Sequence, residues 1–153
     1  MYNHKIVAFV LNVKDSCNIS SLKTELVKYV QHFNADDKIY LYNSTGESFK
    51  KASRTIAELA KYNFEGNVPL HDLMRDAIEA LDFEYNFDKE LVVINDDDYD
   101  IYQISKLIKL AADRHAIETK FIEVANKSEI QEAICVDKIY GLAELLLQKK
   151  ETI

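Results

Sequence analysis

A chain of 153 residues with 48% hydrophobic and 29% charged side chains can bury one sizeable core, and a single domain over residues 1–153 is expected. Its formal net charge of −7 disfavours nucleic acid and anionic membrane as partners, because both present phosphates that this surface repels. No apolar run approaches the ~20 residues of a membrane span, no signal-peptide pattern opens the chain, and three glycines leave little room for a phosphate-cradling loop. Cys17 and Cys135 lie far apart without metal-type spacing, so they read as reduced thiols of a cytoplasmic protein, with no cofactor implied.

The chain begins with an apolar run, Ile6 to Leu11, that gives way abruptly to polar residues. Such a run predicts a strand buried on both faces, the centre of a parallel sheet. In open α/β sheets ligands bind beyond the carboxyl ends of the strands where strand order reverses, so the stretch Asn12 to Ser20 is expected at the mouth of any site. Ser20 and Ser21 are candidate N-caps for a helix to about Phe33, with Leu22, Leu26, Tyr29, Val30 and Phe33 on one face. Asp36-Asp37 closes the connection to a strand at Ile39–Tyr42, and Asn43 to Gly46 reads as a turn. A helix is then predicted over Phe49 to Tyr62, broken at Glu65-Gly66-Asn67.

Pro69 opens the next helix, where its missing N–H costs nothing, and Leu70, Leu73, Met74, Ala77 and Leu81 form its stripe. The run Leu91–Ile94 repeats the form of the first strand and ends in Asn95-Asp96-Asp97-Asp98-Tyr99-Asp100. A helix from about Ile101 to Arg114 follows, then a strand at Lys120–Val124. Ser128 and Gln131 make a capping-box pair for a short helix, Val136 to Tyr140 suits an edge strand, and Leu142, Leu145 and Leu146 anchor a terminal helix with Lys149 and Lys150 at its negative end. Alternating strands and helices predict a three-layer α/β/α sandwich with a mostly parallel, Rossmann-like sheet.

Three segments, in this order, resemble a von Willebrand factor A-type domain. Such domains carry a metal ion-dependent adhesion site built from Asp-x-Ser-x-Ser after the first strand, a Thr in a later loop and an Asp after the fourth strand. Here Leu11-Asn12-Val13-Lys14-Asp15-Ser16-Cys17 lies over the family's Leu-Asp-Val-Ser-Gly-Ser-Met, Gly66-Asn67-Val68-Pro69-Leu70 over Gly-Gly-Thr-Pro-Leu, and Val93 to Asp97 over Ile-Thr-Asp-Gly. Asn12, Lys14 and Val68 replace the first Asp, the first Ser and the Thr, while Ser16 and Asp96 survive. Mg²⁺ requires oxygen ligands in near-octahedral geometry; Val68 offers none, and Lys14 brings a positive charge to the cation's place. The resemblance therefore implies a degenerate site without metal, in which Lys14 pairs with Asp96 as a tethered substitute for the ion.

The cluster Asp96, Asp97, Asp98 and Asp100 admits three readings: a metal site of its own, charges favourable to the dipole of the helix at Ile101, or solvated surface. Cys17 has no histidine to activate it and reads as a small filler residue, and the four histidines are scattered. Tyr99 and Tyr102 beside the acidic loop are expected at an interface. The acidic stretch is also similar to the Gly-Asp-Ser-Asp-Phe signature of NYN/PIN-like ribonucleases, which gather carboxylates around Mg²⁺ or Mn²⁺; Asp96 and Asp98, with Asp76 on the preceding helix, would serve there. That family needs an Asp where this chain has Asn12. The preferred expectation is a non-catalytic module that binds a protein partner through Asn12, Lys14, Ser16, Val68, Asp96, Asp98 and Tyr99, with a metal-dependent ribonuclease as the alternative.

Overall fold

A computed structural model describes residues 4–34, 36–43, 48–52, 66–124, 129–130 and 133–147. In chain order these form β1 (His4–Asn12), α1 (Ser16–Val30), β2 (Lys38–Asn43), β3 (Ser48–Ala52), α2 (Leu70–Asp82), β4 (Phe87–Asn95), α3 (Ile101–His115), β5 (Glu118–Val124), β6 (Ile134–Val136) and α4 (Leu142–Leu147). The strands make one six-stranded sheet in the order β3-β2-β1-β4-β5-β6. All neighbours pair in parallel except β2 and β3.

The apolar run of β1 is the centre of the sheet because its alternate residues serve two cores. Ile6, Ala8 and Val10 pack under α2 and α3, against Leu73, Met74, Ile104 and Leu107. Val7, Phe9 and Leu11 point the other way, into a core with Leu22 and Leu26 of α1 and Leu142 and Leu146 of α4. The result is the expected three-layer sandwich. Burying each such side chain contributes roughly 1.5–3 kcal/mol, so both faces need their helices. Polar groups tie neighbouring elements where apolar contact ends. The Glu25 carboxylate of α1, buried, accepts from Ala143 N at 3.0 Å and from Lys28 Nζ at 3.2 Å. Asp37, also buried, accepts from Lys5 N and Asn34 N and seats the turn before β2.

Several local expectations give way. α1 begins four residues before Ser20: Asp15 is its N-cap, its side chain accepting from Cys17 N and Asn18 N, so the connection after β1 shrinks to residues 13–15. The helix expected from Phe49 is a strand over its first residues, with Phe49 opposite Leu41 in the antiparallel ladder. The spacing of Phe49 and Ala52 suits a helical turn, but the open edge of β2 offers this segment a full row of backbone partners, and pairing overrides local periodicity. The rest of that predicted helix lies outside the described residues, as do positions 44–46 of the turn, Ser128 and Gln131 of the capping box, and Lys149 and Lys150. The last strand sits at Ile134–Val136 rather than Val136–Tyr140, because Ile122 to Val124 of β5 align with Ile134 to Val136. Among the described residues no helix is long and apolar enough to cross a membrane.

Candidate functional site

Strand order reverses between β1 and β4: the chain leaves β1 for β2 on one side, and β4 for β5 on the other. Their carboxyl ends are in register, Asn12 opposite Asn95, and the amide of Asp96 donates to Asn12 O at 3.1 Å. The loops after the two strands therefore share one crevice, as the topological rule requires.

The floor of the crevice is asparagine. Asn12 and Asn95 are both buried, and Asn12 Nδ2 donates to Asn95 Oδ1 at 2.6 Å. Asn95 is oriented in turn by its Nδ2, which donates to Asp97 O at 2.7 Å. Asn43 ends β2 in the same way and is buried as well. A buried amide must be hydrogen-bonded to be tolerated, and the pair Asn12–Asn95 meets that condition across the two strands.

Above this floor, Asp96 fastens the β1–α1 connection to β4. Its Oδ1 accepts from Lys14 N at 2.8 Å, and its Oδ2 accepts from Asp15 N at 3.1 Å and Asn18 Nδ2 at 3.0 Å. The expected ion pair between Lys14 and Asp96 is not formed. The Lys14 ammonium instead donates to Gly66 O at 2.6 Å, bridging to the loop that precedes α2. The carboxylate is satisfied by N–H donors of the facing loop, which leaves the lysine side chain to reach elsewhere. Val68, two residues on from Gly66, turns its hydrocarbon toward the core of α2 and α3.

Of the other residues singled out from the sequence, Ser16 is exposed in the first turn of α1, and Asp98 is exposed without a hydrogen-bond partner among the described residues. Tyr99 is partly buried, its hydroxyl donating to Glu123 Oε2 at 3.2 Å and its ring edge-on to Phe121, whereas Tyr102 is 80% exposed and is an aromatic that the described residues display at this end. Asp100 is the N-cap of α3, accepting from Tyr102 N and Gln103 N, which gives this member of the acidic run a structural role. Cys17 is exposed and fills no space in the core, contrary to the expectation for it. Sequence reasoning missed Asp15, Asn18, Gly66 and Asn95. The Asp15 and Asn95 signals were available, as a capping residue ahead of a helix and as the polar end of an apolar run; Gly66 lies in the segment matched to the adhesion-site loop, but nothing local marks its carbonyl as a partner of Lys14, and nothing local marks Asn18.

The acids that the ribonuclease alternative would gather do not come together among the described residues. Asp76 is exposed on α2, where its charge adds to burial in pushing the Tyr42 phenol up to about 12. Among the described residues, no three His, Cys, Asp or Glu side chains gather as metal ligands would.

No protein-family model matches the sequence, and no curated protein matches it either. Solved structures do resemble it. A von Willebrand factor type A structure from Catenulispora acidiphila superposes with a TM-score of 0.67 at 10% identity, covering 92% of this chain and 40% of that one. Proximal thread matrix protein 1 from the mussel byssus, with a zinc-occupied MIDAS motif, gives 0.66 at 12% identity over 95% of this chain and 44% of its own. An aerotolerance-related membrane protein from Bacteroides fragilis gives 0.61 at 12% identity over 92% and 96%. At these identities the likeness is one of fold, and the chain spans less than half the length of the first two.

Proposed function

This chain has a von Willebrand factor A-type fold, and we propose that it works as a non-catalytic protein-interaction module whose partner docks on the carboxyl-end face of the sheet without an intervening metal ion. Folds of this type commonly serve as protein-interaction modules. The observation that carries the reading is the state of Asp96. Both of its oxygens are engaged by nitrogen donors, from Lys14 N, Asp15 N and Asn18 Nδ2. A hard cation needs oxygen ligands that are free to turn toward it, and this donor set does not fit one. What the ion does structurally in a related site, holding two strand-end loops together, is done here by hydrogen bonds. In this reading residues 1–153 act as one domain, Asn12, Lys14, Ser16, Val68, Asp96, Asp98 and Tyr99 belong to the docking face, and exposed Tyr102 supplies a rim aromatic of the kind enriched at interfaces. The net charge favours a protein over a nucleic acid, and two exposed free cysteines suit a reducing compartment such as the cytoplasm.

The test is site-specific photo-crosslinking in cells that make the protein. A benzophenone side chain at Tyr102 should capture a discrete protein in the presence of a divalent-ion chelator, and the same group at Glu79, on the exposed side of α2, should not. Equal capture from both positions, or capture only after Mg²⁺ or Mn²⁺ is restored, would sink the proposal.

A further inference from the structure

The outer surface of the α2/α3 layer carries charges that the carboxyl-end reading leaves unused. Both helices run from the carboxyl end of the sheet to its amino end, and their last residues meet, His115 Nδ1 lying 2.6 Å from Asp82 Oδ1. The α2 side is acidic: Asp76 and Glu79, one turn apart, are exposed. The α3 side is basic: Lys106 and Lys109, also one turn apart, are exposed. Among the described residues none of these four forms an ion pair or a side-chain hydrogen bond. Asp72, one turn before Asp76, differs from them, since it already accepts from Arg75 Nη1 at 3.1 Å.

We propose that this bipolar face is a self-association surface and that its occupant is a second copy of this chain. A closed pair needs a patch complementary to itself, and a face acidic on one helix and basic on the next meets that condition under one two-fold axis. With the axis parallel to the helices, α2 of each copy lies over α3 of the other, running the same way. The contact between Asp82 and His115 sets the levels, because Asp76 and Lys109 each stand six residues before it. Asp76 therefore meets Lys109 of the second copy, and Glu79 reaches the same ammonium from one turn on. Lys106 stands between the levels of Asp72 and Asp76. Asp113, near the level of Glu79, is a like charge there, and Arg114 next to it carries the opposite sign. The other closed arrangement, with the axis across the helices, would lay α2 on α2 and set carboxylate against carboxylate.

The size of the face sets the strength of the pair. Two helices of about 20 Å, with axes about 10 Å apart, offer roughly 400 Å² per copy, or about 800 Å² in all. A stable complex buries about 1,600 Å², so the pair is weak and forms where the protein is concentrated. At about 0.1 M salt the screening length is ~10 Å, which hides the net charge of −7 on each copy more than it weakens contacts across the interface. Replacing Glu79, as the crosslinking control does, removes one of the charges from this face, so that control stays silent. The face lies on the helical layer and not at the strand ends, so the inference does not rest on the function proposed for the crevice of Asn12 and Asp96.

Sedimentation velocity of the full chain tests the proposal. In about 0.1 M salt the sedimentation coefficient should climb from monomer toward dimer as the protein approaches about 1 mM, and about 0.5 M salt should reverse the climb. Lys106→Glu with Lys109→Glu should weaken self-association at least about tenfold, and so should Asp76→Lys with Glu79→Lys. All four side chains are exposed, so the fold tolerates both changes. Mixed together, the two variants should pair with each other at least as tightly as the unaltered chain pairs with itself, because an acidic face then meets a basic one. A monomer at every concentration, association strengthened by salt, or reversed variants that stay monomeric when mixed would overturn the proposal. Association that survives both reversals and is lost with Phe83→Ser and Tyr85→Ser would overturn it too, by moving the contact to the exposed rings after α2.

Discussion

Replacing Asp96 by alanine removes three hydrogen bonds at once, from Lys14 N, Asp15 N and Asn18 Nδ2. Each is worth about 0.5–1.5 kcal/mol net of exchange with water, more where the carboxylate charge assists. Two of the three are at exposed positions, where water takes over readily, so Asp96→Ala should cost about 2–3 kcal/mol in urea unfolding. Lys14→Met leaves the backbone donor in place and loses only the exposed contact to Gly66 O, so it should cost less than about 0.5 kcal/mol. The double variant should then be additive within about 0.5 kcal/mol, because the Lys14 side chain and the Asp96 carboxylate do not interact directly. Asp96→Ala costing under about 0.5 kcal/mol would refute the loop-fastening role. A coupling energy above about 1 kcal/mol would restore the side-chain ion pair that the geometry replaces.

Glu25→Ala strands the amide of Ala143 and should loosen α4, costing about 2–4 kcal/mol, whereas Glu25→Gln keeps an acceptor and should cost clearly less; urea unfolding of both variants distinguishes them. Burial raises the Tyr29, Tyr40 and Tyr42 phenols, with Glu90, Glu84 and Asp76 adding to it in turn. Their contribution is therefore whole below the unfolded tyrosine value near 10 and is lost as pH climbs from there toward the folded values, by up to about 1.4 kcal/mol per pH unit for each. Tyrosinate absorbance should show these three ionising only with unfolding; reversible titration of all nine tyrosines near pH 10 would contradict the burial argument. Asn12→Asp, Lys14→Ser and Val68→Thr together remove a cation and supply oxygens, and calorimetry should show a gain of Mn²⁺ binding. No gain in that triple variant would count against the positional match to an adhesion site.

The layers and the crevice were legible in the chain because hydrophobic runs and stripes decide them. Ile6–Leu11 and Leu91–Ile94 are too uniformly apolar to be anything but central strands between two helical layers, and their ends become neighbours by topology. The strand at Ser48–Ala52 was not legible, since its cause is the unpaired edge of β2 and not its own pattern. The site divides in the same way. The proximity of Asn12, Lys14 and Asp96 follows from the strand ends. Which atom of Lys14 meets Asp96 does not, because every residue offers a backbone N–H and only the path of the loop decides whether that donor or the ammonium arrives first. Asn18 enters the site only because Asp15 starts the helix early, placing the Asn18 amide beside the carboxylate.

The claim that the carboxyl-end face is organised without an ion is tested most directly by titrating paramagnetic Mn²⁺ into labelled protein and following its amide signals. The Lys14, Asp15 and Asp96 signals should keep their intensity at stoichiometric Mn²⁺, because the Asp96 carboxylate is engaged on both oxygens by N–H donors. Selective loss of those three signals at stoichiometric Mn²⁺ would contradict the account.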